Sequence, residues 1–219
     1  MKDKLDDRTA ATAWSVSAIK YMLGGTYRAS LRLLNDAIIQ NRIFGMAAIL
    51  GCDQPTPTEN DDMNHLTEEL IKRNVLVLQA GYEAATAATL EAIKMGAGLR
   101  EVCEATGLPP VWYMGSAAEG CKRILEVAAG MTAEGGLGVE VAALPMAGII
   151  PGKTDEKIKE ISDRFAASGI EVVLIKNPEE TVGRVIEMLN GKREKLGINQ
   201  KAERQLLEMK DRRDASCPG

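Results

Sequence analysis

Short unbroken apolar runs alternate along this chain with longer stretches whose apolar residues recur every three to four positions. The first pattern belongs to strands buried on both faces, the second to helices with one buried stripe. Strands are predicted at Ile43 to Leu50, Val75 to Leu78, Val111 to Met114, Val139 to Leu144 and Glu171 to Ile175. Helices are predicted over Ala11 to Leu23 and, capped by Thr26, on to about Asn41. Further helices follow at Thr67 to Lys72, Tyr82 to Met95, Leu99 to Thr106, Ala117 to Gly130, Thr154 to Ala167 and Pro178 to Leu189.

Strands that alternate with helices form βαβ units with right-handed crossovers, which put helices on both faces of a parallel sheet. The expected fold is therefore α/β: a three-layer, Rossmann-like parallel sheet of about five strands with flanking helices. The pattern leaves the strand order open. Residues 1–42 are expected as N-terminal helices packed on the domain, and 43–191 as the Rossmann-like domain. Residues 192–219 are expected as a charged C-terminal helix and tail, whose few apolar positions are Leu196, Leu206 and Met209. That tail reads either as a solvated helix lying loosely on the domain or as a helix that docks a partner.

Glycines end several of the predicted strands. Gly51-Cys52, Gly81-Tyr82, Gly115-Ser116 and Gly148 to Gly152 all fall where a strand hands over to a helix. In open parallel sheets, ligands bind beyond the carboxyl ends of the strands. Glycine allows close backbone approach there, and the next helix presents free N–H groups. These turns serve either as tight-turn geometry alone or as a ligand-binding edge that favours anions. No Gly-x-Gly-x-x-Gly run follows a strand and no Walker A sequence is present, so a nucleotide site has little support.

Composition narrows the classes. Hydrophobic residues make up 45% but aromatics only 4%, so aliphatic side chains and methionine must fill the core. A net charge of -4 and a pI of about 5.3 give no general attraction to nucleic acid or anionic membranes. No apolar run approaches the roughly 20 residues that cross a bilayer. The charged stretch Met1 to Arg8 leads into no signal-peptide core, and the expected location is cytoplasmic. Cys52, Cys103, Cys121 and Cys217 are widely spaced, which suits free thiols or metal ligands better than disulfides in a reducing compartment.

Several segments carry a specific resemblance: IFGMAAILGC at 43–52, then His65, ELIKRNVLVLQAG at 69–81, LREVCEATGLPPVWYMGS at 99–116 and TDEK at 154–157. In this order and spacing they resemble the C-terminal part of the anaerobic nickel–iron–sulfur carbon monoxide dehydrogenases, of the same superfamily as the hybrid-cluster proteins. The likeness covers roughly residues 17 to 198. It implies that the three turns should each supply a cysteine to a nickel–iron cluster, and that a later lysine assists proton transfer. Cys52 matches the first ligand. Tyr82 stands at the second position and Ala117 at the third, and Cys121 lies one helical turn further on. Lys157 matches the lysine. His65 falls where the family often has histidine and reads as a turn-orienting or capping residue. Cys103 reads as a buried structural thiol.

The resemblance therefore implies a carbon monoxide dehydrogenase-like protein with an incomplete ligand set. Three readings follow. In one, Cys52 and Cys121 hold an iron–sulfur cluster or another metal in a repurposed redox protein or a subunit of a larger complex. In another, the edge formed by Gly51, Gly81, Tyr82, Gly115 and Ser116 is a vacated cluster site, and the chain is a non-metal binding or regulatory subunit. In the third, another chain completes a CO-oxidising site that uses Lys157. Nickel held by this chain alone is not expected. The expected assembly is a homo-oligomer or a subunit of a redox complex, without nucleic acid or membrane.

Overall fold

The strand-helix alternation resolves into a five-stranded parallel sheet in the order β3-β2-β1-β4-β5. The structure is a computed structural model that describes residues 13–27, 29–51, 57–81, 95–133, 139–151 and 156–198, without the side chains of 57–60 and 157. Its strands are β1 (Gly45–Leu50), β2 (Val75–Ala80), β3 (Val111–Tyr113), β4 (Met146–Ile150) and β5 (Val172–Leu174). The described helices are α1 (Val16–Gly24), α2 (Arg32–Ile39), α3 (Pro57–Lys72), α4 (Ala97–Thr106), α5 (Ala117–Ala133), α6 (Glu156–Ala167) and α7 (Pro178–Lys195). The chain thus builds outward from β1 to β3, then crosses to the other side of β1 for β4 and β5.

Three layers follow from where side chains point. The β1, β2 and β4 strands are buried along their whole length, as strands covered on both faces must be. A Cβ at Gly120 of α5 would stand 2.4 Å from Ala80 Cβ, so even-numbered β2 residues face α5. A Cβ at Gly45 would stand 3.0 Å from Leu189 of α7, so the opposite face of β1 meets α7. The α3 and α7 helices pack on each other in that second layer, while α5, α6, α1 and α2 form the first. A single aliphatic core runs through both faces, with α1 and α2 contributing Ile19, Leu23, Leu34 and Ile38.

The boundaries differ from the sequence expectations in five places. Thr26 does not cap the second helix: it lies in an exposed turn after Gly25 (φ 68°), and α2 starts at Arg32, whose N–H reaches Ser30 Oγ at 3.4 Å. The helix expected at 67–72 begins ten residues earlier, because Met63, Leu66 and Leu70 put a buried stripe through a polar stretch. The fourth strand is Met146–Ile150 rather than Val139–Leu144, where a 3-10 turn (Val141–Ala143) stands instead. Gly148, expected in a turn, lies inside β4, where a Cβ would press Val172 Cγ2 at 3.1 Å and Phe165 Cδ1 at 3.3 Å.

The last difference concerns the charged end. Rather than stopping at Leu189, α7 runs on to Lys195, straight through the expected boundary at 191/192, and it buries Lys192 and Arg193. Lys192 Nζ donates to Met146 O at 3.0 Å and lies 3.8 Å from Glu171 Oε1. Arg193, with no exposed surface, donates to Phe44 O at 2.9 Å and Asn41 Oδ1 at 2.7 Å, and lies 4.8 Å over the Phe44 ring. Burial lowers the pKa of both cations. These contacts pin α7 to the entrances of β1 and β4. The expected helix over Tyr82 to Met95 falls, except for Met95, outside the described residues.

Candidate functional site

The carboxyl ends of β1, β2 and β3 are joined by backbone bonds that continue past the strands. Gly51 N donates to Ala80 O (2.9 Å), Met114 N to Gln79 O (2.8 Å) and Gly81 N to Gly115 O (2.9 Å). The three glycine turns thus form one laterally bonded rim. Two of them need glycine for conformational reasons: φ is 87° at Gly81 and 110° at Gly115. Space forbids a side chain at Gly81 as well, since its Cβ would stand 2.2 Å from Gly51 O.

The α5 helix starts directly beneath this rim. Ser116 is exposed, whereas Ala117 is 1% exposed and its methyl lies 3.1 Å from where a Cβ on Gly81 would stand. The methyl therefore fills the space under the β2 turn. Cys121, one turn further along α5, is equally buried and belongs to the core, and burial raises its thiol pKa while Arg164 partly offsets this. On the other side of the helix, Arg123 folds back to donate from Nη1 to Met114 O at 2.9 Å, bracing the β3 turn.

The remaining candidates separate in the fold. Cys52 and Tyr82 lie outside the described residues, as does Cys217. The backbone of Lys157 sits in the first turn of α6, and its side chain is not described. His65 is exposed on α3, and Cys103 is half-buried on α4, where burial and then Glu104 push its thiol up to about 11. Sequence reasoning missed Gln79, which is 1% exposed at the end of β2 and whose Nε2 is without a hydrogen-bond partner. Its signal was present as the one polar residue in VLVLQA. Arg123 was missed too, and nothing in its sequence context marks it.

The donor set of this rim can be tested against a metal cluster. Among the described residues, no group of three or more His, Cys, Asp or Glu side chains is placed to hold a metal ion. A methyl at Ala117 donates nothing, and a thiol kept protonated in a dry core is a poor iron ligand. The described residues do not fit a nickel–iron–sulfur cluster.

Comparison with known proteins settles the lineage. The family model described as Prismane/CO dehydrogenase family matches residues 3–202. The chain belongs to this family. Within the family, it is 37% identical over 167 residues to carbon monoxide dehydrogenase 1 of Methanosarcina mazei, covering 74% of this chain and 26% of the relative. It is 29% identical over 176 residues to the carbon monoxide dehydrogenase/acetyl-CoA synthase subunit beta of Moorella thermoacetica, covering 72% and 25%. The fold matches nickel-free carbon monoxide dehydrogenase from Thermococcus sp. AM4 with a TM-score of 0.66 and 28% identity, over 84% of this chain and 34% of that one. The chain is thus carbon monoxide dehydrogenase-like, with the α/β fold expected from its sequence. It spans about a quarter of the length of the curated relatives it matches. Among the described residues, no helix is long and apolar enough to cross a membrane.

Proposed function

We propose that this chain is a cytoplasmic subunit of a carbon monoxide dehydrogenase-type redox complex whose glycine rim is a vacated cluster site. The observation that carries this reading is Ala117, a buried methyl packed against the Gly81 turn where the family resemblance calls for a ligand cysteine. A methyl at this position offers a metal no lone pair, and the sulfur that a cysteine would carry beyond the same Cβ is missing. The rim of Gly51, Gly81, Tyr82, Gly115 and Ser116 then serves as a binding edge for a small anion or a partner chain, with the positive amino end of α5 beside it.

Iron, nickel and zinc analysis of anaerobically prepared protein tests this. The expected result is colourless protein with far less than one metal ion per chain. A brown protein with stoichiometric iron overturns the reading.

A second reading is favoured by the place of Gly51, buried at the head of central strand β1, immediately before Cys52. In it, Cys52 and donors from a neighbouring chain, with Cys121 as a further ligand, hold an iron–sulfur cluster or another metal. Lys157 then supplies a proton, as it would in a CO-oxidising site completed by another chain. Replacing Cys52 with Ser would remove any such metal, and unchanged metal content would rule this reading out.

A further inference from the structure

Two helices precede β1, and their outer surface is unlike the rest of the molecule. The chain joins the edge of the sheet at β3, where Trp14 N donates to Tyr113 O at 2.7 Å, and then forms α1. Gly25 (φ 68°) leads it out of α1 towards α2. The inner faces of both helices enter the core through Ile19, Leu23, Leu34 and Ile38. The outer side leaves Tyr21 55%, Met22 37%, Tyr27 99% and Leu33 38% exposed. Among the described residues, only Leu174 is a further large apolar side chain as open as these. Apolar residues scattered singly over a surface need no explanation, but four of them gathered within residues 21–33 mark a contact face.

The end of α7 arrives beside this face. Arg193 Nη1 reaches Ile38 O at 3.5 Å and its Nη2 reaches Asn41 Oδ1 at 2.7 Å, which sets the last turns of α7 against the end of α2. Gly197 (φ 65°) then closes α7, its N–H donating to Glu194 O at 2.9 Å. Ile198 is helical again and 2% exposed. The sequence that follows keeps that register. Ile198, Ala202, Leu206 and Met209 recur at three- and four-residue intervals, on one helical face. The rest of the circumference carries Glu203, Arg204, Glu208 and Asp211, with Leu207 as its one large apolar residue.

We propose that residues 198–210 form a helix that lies in cis along the outer surface of α2, setting Leu206 and Met209 against Leu33 and Tyr27. The proposal is independent of the reading of the rim. Its occupant is fixed by reach and by direction. The stripe from Ile198 to Met209 extends about 17 Å at a helical rise, against about 12 Å for the eight residues of α2. A helix that starts beside the end of α2 and runs back along it therefore brings its last apolar residues to the start of α2, where Leu33 and Tyr27 stand. Buried Ile198 turns the stripe towards the domain from its first residue.

Amide exchange of the full chain, read by mass spectrometry, tests this. An unsupported helix of this length is marginal in water, so protection of residues 200–209 reports docking rather than helix propensity. Exchange there should be at least about tenfold slower in the wild type than in the full-length Leu206→Glu/Met209→Glu variant, which keeps helix-forming residues and alters only the stripe. ANS emission should rise in that variant as the face opens. Leu33→Glu, at an exposed position of α2, should release the same amides while those of β1 and β2 stay protected, which shows the fold intact. Tyr27→Ser, outside both helices, should speed the exchange as well. Protection that grows with protein concentration places the tail on another copy and overturns the proposal. Free exchange of residues 200–209 in the wild type overturns it too and leaves the face to some other partner. So does protection that survives Leu33→Glu.

Discussion

Single residues decide how much this fold tolerates at its rim and at its base. Gly81 combines a φ of 87° with a neighbouring carbonyl 2.2 Å from any Cβ. Gly81→Ala should therefore cost at least about 2 kcal/mol, from left-handed backbone strain plus displacement of Gly51. Gly183, in the interior of α7, is the counterpart: nothing lies within 4 Å of where its Cβ would stand. Gly183→Ala should stabilise by about 0.5–1 kcal/mol. Urea unfolding of the two variants checks both signs. At the base, Arg193→Met would take the donor from half-buried Phe44 O and from Asn41 Oδ1, and would remove the guanidinium from over the Phe44 ring. A loss of about 1–3 kcal/mol is expected in the same assay. Arg193→Lys should recover only part of it, because one ammonium cannot reproduce the fork.

At the scale of elements, α3 ends in a small charge cluster with a definite pH signature. Glu69 receives Lys72 Nζ at 2.8 Å and Arg73 Nη1 at 2.5 Å. The Arg73 hydrogen bond, and then that of Lys72, hold its carboxyl down at about 2 against an ordinary 4.5. A carboxyl with a lowered folded pKa stabilises fully above its unfolded value and loses that stabilisation as pH falls through the folded one. Glu69→Gln should therefore cost under about 1 kcal/mol at pH 7, as partly exposed pairs do. The gap between variant and wild type should close between pH 4.5 and about 2 in denaturant titrations. The alternation of strands and helices was legible in the sequence, because fully buried strands and striped helices leave different periods. The placement of β4 was not. Val139 to Leu144 carries the better strand propensity, yet the slot between β1 and β5 demands the glycine that Gly148 supplies. The end of α7 was hidden because Lys192 and Arg193 read as solvated charges until the carbonyls they reach are known. The strand order depends on crossovers that no local pattern records.

For the whole molecule, the sheet has two unlike ends. The amino ends of its strands are held by polar latches around Arg193, Lys192 and Asn74, whose Oδ1 accepts from Leu99 N at 2.9 Å. The carboxyl ends carry the bare glycine rim. The candidate site was legible as a set of turns and, through the family resemblance, as ligand positions; that Ala117 is buried under the β2 turn required three dimensions. The joined edge at β3 has a practical side. The chain has two tryptophans, and both belong to that edge: Trp14 bonds to Tyr113, and Trp112, 2% exposed, donates from Nε1 to Pro109 O at 2.9 Å. Indole emission from this protein is therefore a one-sided gauge. It reports fraying at β3 and stays silent about events across the sheet at β5, so a variant altered at β5 that keeps the native emission maximum still has its far edge intact.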